Sequence, residues 1–146
     1  MRAEEVEALV AVARAARLRA YAPYSRFLVG AAVVTGGGTF VGCNVENAAF
    51  GPTICAERVA ATTAIAAGHR DLLAVAVVAG RRRSRTGPVS PCGVCRQFLY
   101  EFNPDMVVVS EGTDGTRARW RLSALLLDGF GPNDVAPPAG PSPRRS

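Results

Sequence analysis

The chain has 146 residues, of which 49% are hydrophobic and 20% are charged, a balance typical of one globular domain that needs no disulfides. Acidic residues follow Met1, and no apolar run reaches the roughly 18 residues that a membrane span requires, so we expect a cytoplasmic protein with no membrane partner. The net charge of +5 comes entirely from arginine, because the sequence contains no lysine. These arginines are dispersed along the chain, which disfavours a nucleic-acid partner.

Apolar periodicity predicts an opening helix followed by two strands. Over residues 4–20 apolar side chains recur at helical spacing, with acids in the first turn and arginines toward the last, as the helix dipole favours. Pro23 is expected to end this helix. The apolar runs 27–35 and 39–44, separated by glycines, predict a β-hairpin.

The second half of the chain predicts three more helices and three strands. Thr53 is placed to cap an alanine-rich helix over residues 54–67. The valine-rich run 72–79 predicts a strand covered on both faces and paired in parallel. Pro91 suits the first turn of a helix that extends to about residue 102. The remaining predicted elements are a strand over 106–110, a strand through Trp120 and a short helix over 123–127.

This alternation predicts an α/β fold, a three-layer α/β/α sandwich around a mixed five-stranded sheet. We expect a single domain over residues 1–134 and a Pro-rich, disordered tail over residues 135–146. Arginines at alternate positions of the last strand predict a solvated face; they are Arg117, Arg119 and Arg121.

Three cysteines stand where predicted helices begin. Cys92 and Cys95 are three residues apart, so both thiolates lie on one face of a helix, and Cys55 has the same position on the preceding helix. Backbone N–H groups at a helix N-terminus lower thiol pKa values and favour the anion that zinc binds. Three thiolates leave the fourth position of a tetrahedral ion for water, which predicts a catalytic site with one Zn²⁺ per chain.

Charged side chains beside Cys55 extend this prediction. Glu57 can reach the water without being a ligand and can carry protons to a leaving group. Three thiolates make the centre anionic and weaken it as a Lewis acid, and hydrogen bonds from a guanidinium to the thiolates restore some acidity. Arg58 and Arg96 both neighbour a ligand, and we assign this role to Arg58.

Other interpretations of the cysteines stay open. A closed structural zinc site would need Cys43 as its fourth ligand, although Cys43 alone is more typical of a buried small residue. A Ser or Cys nucleophile would need a histidine base, and the single histidine, His69, lies in a predicted turn. A zinc-stabilised RNA-binding module would use the arginines of the loop over residues 81–85.

The pattern resembles the cytidine deaminase family, in its small homotetrameric form with three cysteine ligands. The general deaminase signature is His or Cys, one residue and Glu, followed later by P-C-x-x-C. Here it reads C-A-E at residues 55–57 and P-C-G-V-C at residues 91–95. Further matches over about residues 21–134 are APYSRF at 22–27, GCNVENA at 42–48 and FGP at 130–132.

The resemblance implies hydrolysis of cytidine, and of 2′-deoxycytidine, to the uridine nucleoside and ammonia in pyrimidine salvage. Asn44 and Glu46, which have no obvious structural partner in the sequence, would bind the ribose hydroxyls, and Phe27 would pack against the base. Ala56 would offer its backbone N–H to the pyrimidine carbonyl. Glu57 would protonate ring N3 while an activated water attacks C4.

The resemblance also implies a homotetramer whose active sites are shared, because Phe130 stacks on the base in a neighbouring subunit of such enzymes. One departure is Leu127, which stands where the family usually has proline, so the last helix could run on and displace Phe130. The nearest rival is a deaminase of a related aminonucleoside such as blasticidin S, which shares the cysteine motifs. The pair Asn44 and Glu46 favours a ribose instead.

Overall fold

The computed structural model describes residues 1–135 as a five-stranded sheet with helices on both faces. Of the predicted tail, residues 136–146 lie outside the described part of the chain. No helix within residues 1–135 is both long and apolar enough to cross a membrane. The elements in chain order are α1 Ala3–Arg17, β1 Leu28–Thr35, β2 Gly38–Cys43, α2 Ala56–Ala66, β3 Ala74–Gly80, α3 Gly93–Tyr100, β4 Val107–Gly112, β5 Arg117–Arg121, α4 Leu122–Leu125 and α5 Pro132–Val135.

The sheet has the order β2-β1-β3-β4-β5, and the predicted mixed pairing is confirmed. β3 pairs in parallel with β4, while β1–β2, β1–β3 and β4–β5 are antiparallel. All seven residues of the central strand β3 are buried, as predicted for a strand covered on both faces. In the edge strand β5, the three arginines alternate with partly buried residues and face the solvent, as expected.

Two hydrophobic cores lie on the two faces of the sheet, which confirms the three-layer sandwich. On one face, Leu9, Val10 and Ala13 of α1 pack against Ala32 and Ala76 of the sheet. The other face is covered by α2, α3 and α4. The core on that side includes Ala60, Ala64, Leu72, Leu99 and Leu122. This second face also carries the predicted metal ligands.

Helix α2 lies directly against β2 at Gly42. A Cβ atom at Gly42 would stand 2.5 Å from the backbone nitrogen of Ala60 and 2.7 Å from the carbonyl oxygen of Ala56. Alanines form the buried side of α2, so the helix backbone can approach the strand closely. The start of α2 is therefore fixed against the end of β2.

Both cysteine-bearing helices begin later than the sequence predicted. Thr53 is not the N-cap of α2, because Ile54 is paired with Val45 through two backbone hydrogen bonds of 3.0 Å and is held extended. Cys55 takes the N-cap position instead, and Cys92 is the N-cap of α3. Pro91 accordingly precedes α3 rather than occupying its first turn. Neither cysteine makes a side-chain capping hydrogen bond, so each thiol can serve another contact.

The last helix does not run on past Leu127, although the chain lacks the proline that usually stands there in the family. Helix α4 ends at Leu125, because Leu126 leaves helical geometry with φ −136° and ψ 82°. Asp128 then has a positive φ of 49°, which turns the chain. Gly129 follows so close to the ring of Tyr100 that a Cβ there would lie 2.7 Å from it, so the turn packs against α3.

Replacing Gly42 with Ala should destabilise the domain by about 1–3 kcal/mol, because the added methyl group overlaps backbone atoms that cannot move independently. Thermal unfolding followed by circular dichroism measures the loss. Gly51→Ala is the matched control, since no atom lies within 4 Å of a Cβ built there. An unchanged melting temperature for G42A would contradict the close approach of α2 to β2.

Candidate metal centre

The N-termini of α2 and α3 meet on one face of the sheet and bring three thiols together. The sulfurs of Cys55 and Cys92 are 3.7 Å apart. Together with the sulfur of Cys95 they form a group in which all ligand atoms lie within 4.8 Å of one another. Within residues 1–135 no other group of three or more His, Cys, Asp or Glu side chains is arranged in this way, and Cys43 is not a member.

The three thiols fit a zinc ion. A Zn–S bond of about 2.3 Å in a tetrahedron places the sulfurs roughly 3.8 Å apart, close to the observed separation of Cys55 and Cys92. Cys95 is buried, Cys55 is half-buried and Cys92 is exposed, so one side of the group opens to the solvent. Three protein ligands with an open side are the arrangement of a catalytic zinc site rather than a closed structural one.

The surroundings already favour an anion at Cys55. Its pKa is lowered to about 5, chiefly by the hydrogen bond from Cys95 and further by those from Arg58 and Cys92. The pKa of Cys95 is raised, because its thiol donates that hydrogen bond and is buried. Arg58 Nη2 lies 3.5 Å from the sulfur of Cys55. Metal binding would draw the remaining proton from Cys95, since zinc takes thiolates.

Glu57 is the second residue of α2 and is 4% exposed. Burial above all, together with the negative charge of Cys55, raises the pKa of its carboxyl group to about 7. The carboxylate is not part of the grouped ligand atoms. Glu57 is therefore a buried titratable group placed next to the metal ligands without being one of them.

The two arginines beside the ligands have different contacts. Arg58 reaches the sulfur of Cys55, and its Nε atom is buried with no hydrogen-bond partner within residues 1–135. Arg96 makes no thiol contact of this kind and instead ties the start of α3 to the end of α4. Its guanidinium donates to Pro91 O at 2.7 Å, Leu125 O at 2.7 Å and Ser90 Oγ at 2.6 Å.

Asn44 has structural partners, contrary to the sequence-based expectation. It is buried directly after β2, where its Oδ1 accepts a hydrogen bond from Val29 N at 2.8 Å. Its Nδ2 donates to Phe27 O, also at 2.8 Å. The side-chain amide therefore continues the hydrogen bonding of the sheet at the start of β1. These partners are backbone groups, which a sequence pattern does not identify.

Glu46 likewise has partners within the chain. Its Oε1 accepts hydrogen bonds from Tyr24 N at 2.9 Å and Ser25 N at 3.1 Å, and its Oε2 accepts one of 2.5 Å from Ser25 Oγ. These bonds, the one from the Ser25 hydroxyl above all, lower the pKa of Glu46. Ser25 is a residue that the sequence analysis missed, and its signal was the match at residues 22–27.

The other predicted residues occupy varied environments. Phe27 is half-buried and packs against the core beneath α2, so its side chain has a structural contact of its own. Ala56 is fully buried as the first residue of α2. Phe130 is 59% exposed, and Gln97 Nε2 donates to its carbonyl oxygen at 2.9 Å. His69 lies with its ring 5.5 Å from that of Phe40, in keeping with an ordinary turn residue.

An exposed aromatic residue beside the segment 22–27, Phe50, was also missed. Phe50 is 71% exposed and has a positive φ of 62°, a conformation unusual for a bulky residue. Its ring meets that of Tyr24 edge to face at 6.1 Å. The available signal was an aromatic residue directly before the turn residues Gly51 and Pro52.

Comparisons with known proteins agree with this site. The sequence profile of the cytidine and deoxycytidylate deaminase zinc-binding region matches residues 3–111. Cytidine deaminase of Sporosarcina psychrophila is 43% identical over 134 residues, 90% of this chain and 96% of that protein. The crystal structure of cytidine deaminase from Burkholderia pseudomallei is 46% identical, with a TM-score of 0.79 over 89% of this chain and 100% of that one. The structure of the Mycobacterium tuberculosis enzyme is 40% identical, with a TM-score of 0.71 over 86% and 96%.

Replacing Cys43 with Ala should leave about one zinc ion per chain, because its sulfur lies outside the three-thiol group. Replacing Cys95 with Ala should remove most of the metal, since it deletes the buried ligand. Zinc content of the purified proteins, measured by atomic absorption, compares the two variants. Loss of zinc from C43A would instead indicate a closed site with four thiolates.

Proposed function

The chain belongs to the cytidine and deoxycytidylate deaminase family, and on this basis we propose that it is a zinc-dependent hydrolase acting on cytidine and 2′-deoxycytidine. Water replaces the amino group at C4, so the products are the uridine nucleoside and ammonia. The observation that carries the proposal is a three-thiol group open on one side, with the buried carboxyl group of Glu57 beside it. We place this reaction in pyrimidine salvage in the cytoplasm.

Cys55, Cys92 and Cys95 would hold the zinc ion, and the ion when bound supplies a Lewis acid that lowers the pKa of a water molecule to provide the nucleophile. The two helix N-termini stabilise the thiolates that this requires. Arg58 adds a positive charge at Cys55, which offsets part of the thiolates' negative charge. Arg58 thereby limits how much the three thiolates would weaken the zinc ion as a Lewis acid.

Glu57 would move the protons of the reaction. A carboxyl group with a pKa of about 7 both accepts and releases a proton near neutral pH. In the proposed sequence it takes a proton from the attacking water and delivers it to ring N3, so that a C4–O bond can form. It then transfers the second proton of the water to the amino group, and the C4–N bond breaks to release ammonia.

Groups around the site can bind the rest of the nucleoside. Ala56 is the first residue of α2, so its N–H has no partner inside the helix and can donate to the pyrimidine carbonyl. Asn44 uses one of its two N–H donors for Phe27 O and keeps the other for a ribose hydroxyl. Glu46 accepts three hydrogen bonds of about four that a carboxylate can take, which leaves room for a hydroxyl. Phe27 would lie against the base.

We also propose a homotetramer in which Phe130 of one subunit completes the site of another. Large apolar side chains stand exposed on a single subunit, among them Leu127 at 79%, Phe50 at 71% and Phe130 at 59%. Aromatic side chains of this kind are enriched in the cores of subunit interfaces. The backbone of Phe130 is held by Gln97, so its ring can be presented to a neighbour from a fixed position.

Incubation of the purified protein with cytidine tests the function directly. Loss of absorbance near the cytosine maximum and release of ammonia are the expected result, and parallel kinetics on 2′-deoxycytidine measure the preference between the nucleosides. Turnover of blasticidin S without turnover of cytidine would assign the site to the rival substrate. Salt-sensitive RNA binding with no deamination of either compound would favour the RNA-binding module.

Replacing Glu57 with Gln should keep about one zinc ion per chain and lower turnover at least roughly 100-fold, because the amide cannot carry the protons. Zinc content and steady-state kinetics measure both quantities. Glu101→Gln, which neutralises an exposed carboxylate just after α3, is the control and should keep its activity. Loss of the metal from E57Q would mean that Glu57 is a ligand.

Replacing Arg58 with Ala should reduce turnover about 10- to 100-fold while zinc is retained, because the Cys55 thiolate then loses its guanidinium partner. Arg70→Ala removes an exposed arginine away from the ligands and serves as the matched control. Kinetics on the two variants, with their zinc content, measure the effect. Turnover of R58A equal to that of R70A would show that Arg58 does not tune the centre.

A further inference from the structure

An arginine-rich cavity lies beside α1, and none of the three metal ligands lines it. Its volume is about 720 Å³, and it is formed where β3 and β4 end. The loop after β3 and the turn after β4 line its walls. Glu111 is the single carboxylate among the lining residues. The arginines that line the cavity are Arg14, Arg17, Arg82, Arg83, Arg85 and Arg117.

Two of these arginines are already paired with carboxylates. Arg14 lies 2.9 Å from Glu111, and Arg117 lies 2.8 Å from the other oxygen of the same carboxylate. Glu7 contacts the same two guanidinium groups, at 3.7 Å from Arg14 and 2.6 Å from Arg117. This network joins α1 to the sheet edge and neutralises two of the positive charges.

Arg17 is buried without a carboxylate partner. Its side chain is held by the carbonyl oxygen of Gly80, to which Nε donates at 3.0 Å and Nη2 also donates. Burial and the neighbouring charge of Arg82 both lower the pKa of Arg17. A buried cation that faces a carbonyl and other cations is stabilised when an anion binds beside it.

The remaining three arginines of the cavity are Arg82, Arg83 and Arg85, on the loop after β3. All three are exposed, and none of them forms an ion pair within residues 1–135. Three carboxylates lie near these arginines, namely Glu7, Glu111 and Asp114. The pKa of Asp114 is lowered in part by the charge of Arg85. Six positive charges less three negative charges leave a surplus of three in and around the cavity.

We propose that this cavity binds a small anion with at least two linked phosphate groups, such as the polyphosphate chain of a nucleotide. Guanidinium groups bind phosphate oxygens through paired, charge-assisted hydrogen bonds. The cavity volume falls within the range of about 300–1,000 Å³ typical of small-molecule sites. None of its lining residues is aromatic, so it lacks the stacking surfaces with which proteins bind single-stranded nucleic acid.

Calorimetric titration of the full-length protein with inorganic tripolyphosphate tests the proposal. Binding should be saturable and should weaken roughly tenfold or more in the double variant R82A/R85A, because two charge-assisted contacts are lost. Arg70 and Arg119 are exposed arginines that do not line the cavity, so R70A/R119A removes the same charge elsewhere. That control should change the affinity by less than about twofold.

Further titrations distinguish the possible ligands. Equal affinity for ATP and tripolyphosphate would show that the cavity recognises the phosphate chain alone. Tighter binding of ATP would show that the cavity also contacts the nucleoside. Either result supports the site. Absence of tripolyphosphate binding, or equal weakening in the two double variants, would overturn it. Tighter binding of a single-stranded RNA 12-mer that is lost in R82A/R85A would replace it with a nucleic-acid site. Calorimetry needs no turnover, so the result is independent of the proposed deaminase activity.

Discussion

The convergence of two helix N-termini is the constraint on which the chemistry of this domain depends. The sulfurs of Cys55 and Cys92 are 3.7 Å apart because α2 and α3 begin at the same place on one face of the sheet. Gly42 admits α2 to this position, and the guanidinium of Arg96 secures the start of α3. The dipoles of both helices then act on the same small volume, which favours thiolates there. Metal binding is thus a consequence of helix placement, and the rest of the sandwich serves to fix that placement.

The same volume also has to accommodate opposing charges. Cys55 is stabilised as an anion, and Glu57 next to it resists ionisation because it is buried beside that anion. The guanidinium group of Arg58 offsets part of the negative charge at Cys55, and its Nε atom is buried. A proton carrier with a pKa near neutrality follows from this arrangement, since burial and a neighbouring negative charge both act in the same direction.

Sequence reasoning succeeded where the signal was local. Apolar periodicity predicted α1 to α4 and all five strands, though not the short helix α5, and the positions of three cysteines at helix starts predicted which side chains come together. It failed where a distant contact decides the outcome. The pairing of Ile54 with Val45 delays the start of α2, and the backbone groups that satisfy Asn44 and Glu46 belong to a separate segment. The arginine-rich cavity is a case of the same kind, because its cations come from distant parts of the chain and meet only after folding.

Two of the proposed ligands, Cys55 and Cys92, are 37 residues apart, so an unfolded chain does not keep their sulfurs together. An ion held by these thiols therefore binds the folded state far more tightly than the unfolded one, and its binding free energy adds to that of folding. A free zinc concentration 100 times the dissociation constant would contribute about 2.7 kcal/mol, a substantial share of the stability of a domain this size. The lifetime of the chain in a cell would then follow the supply of the metal, and zinc depletion would remove the protein as well as its activity.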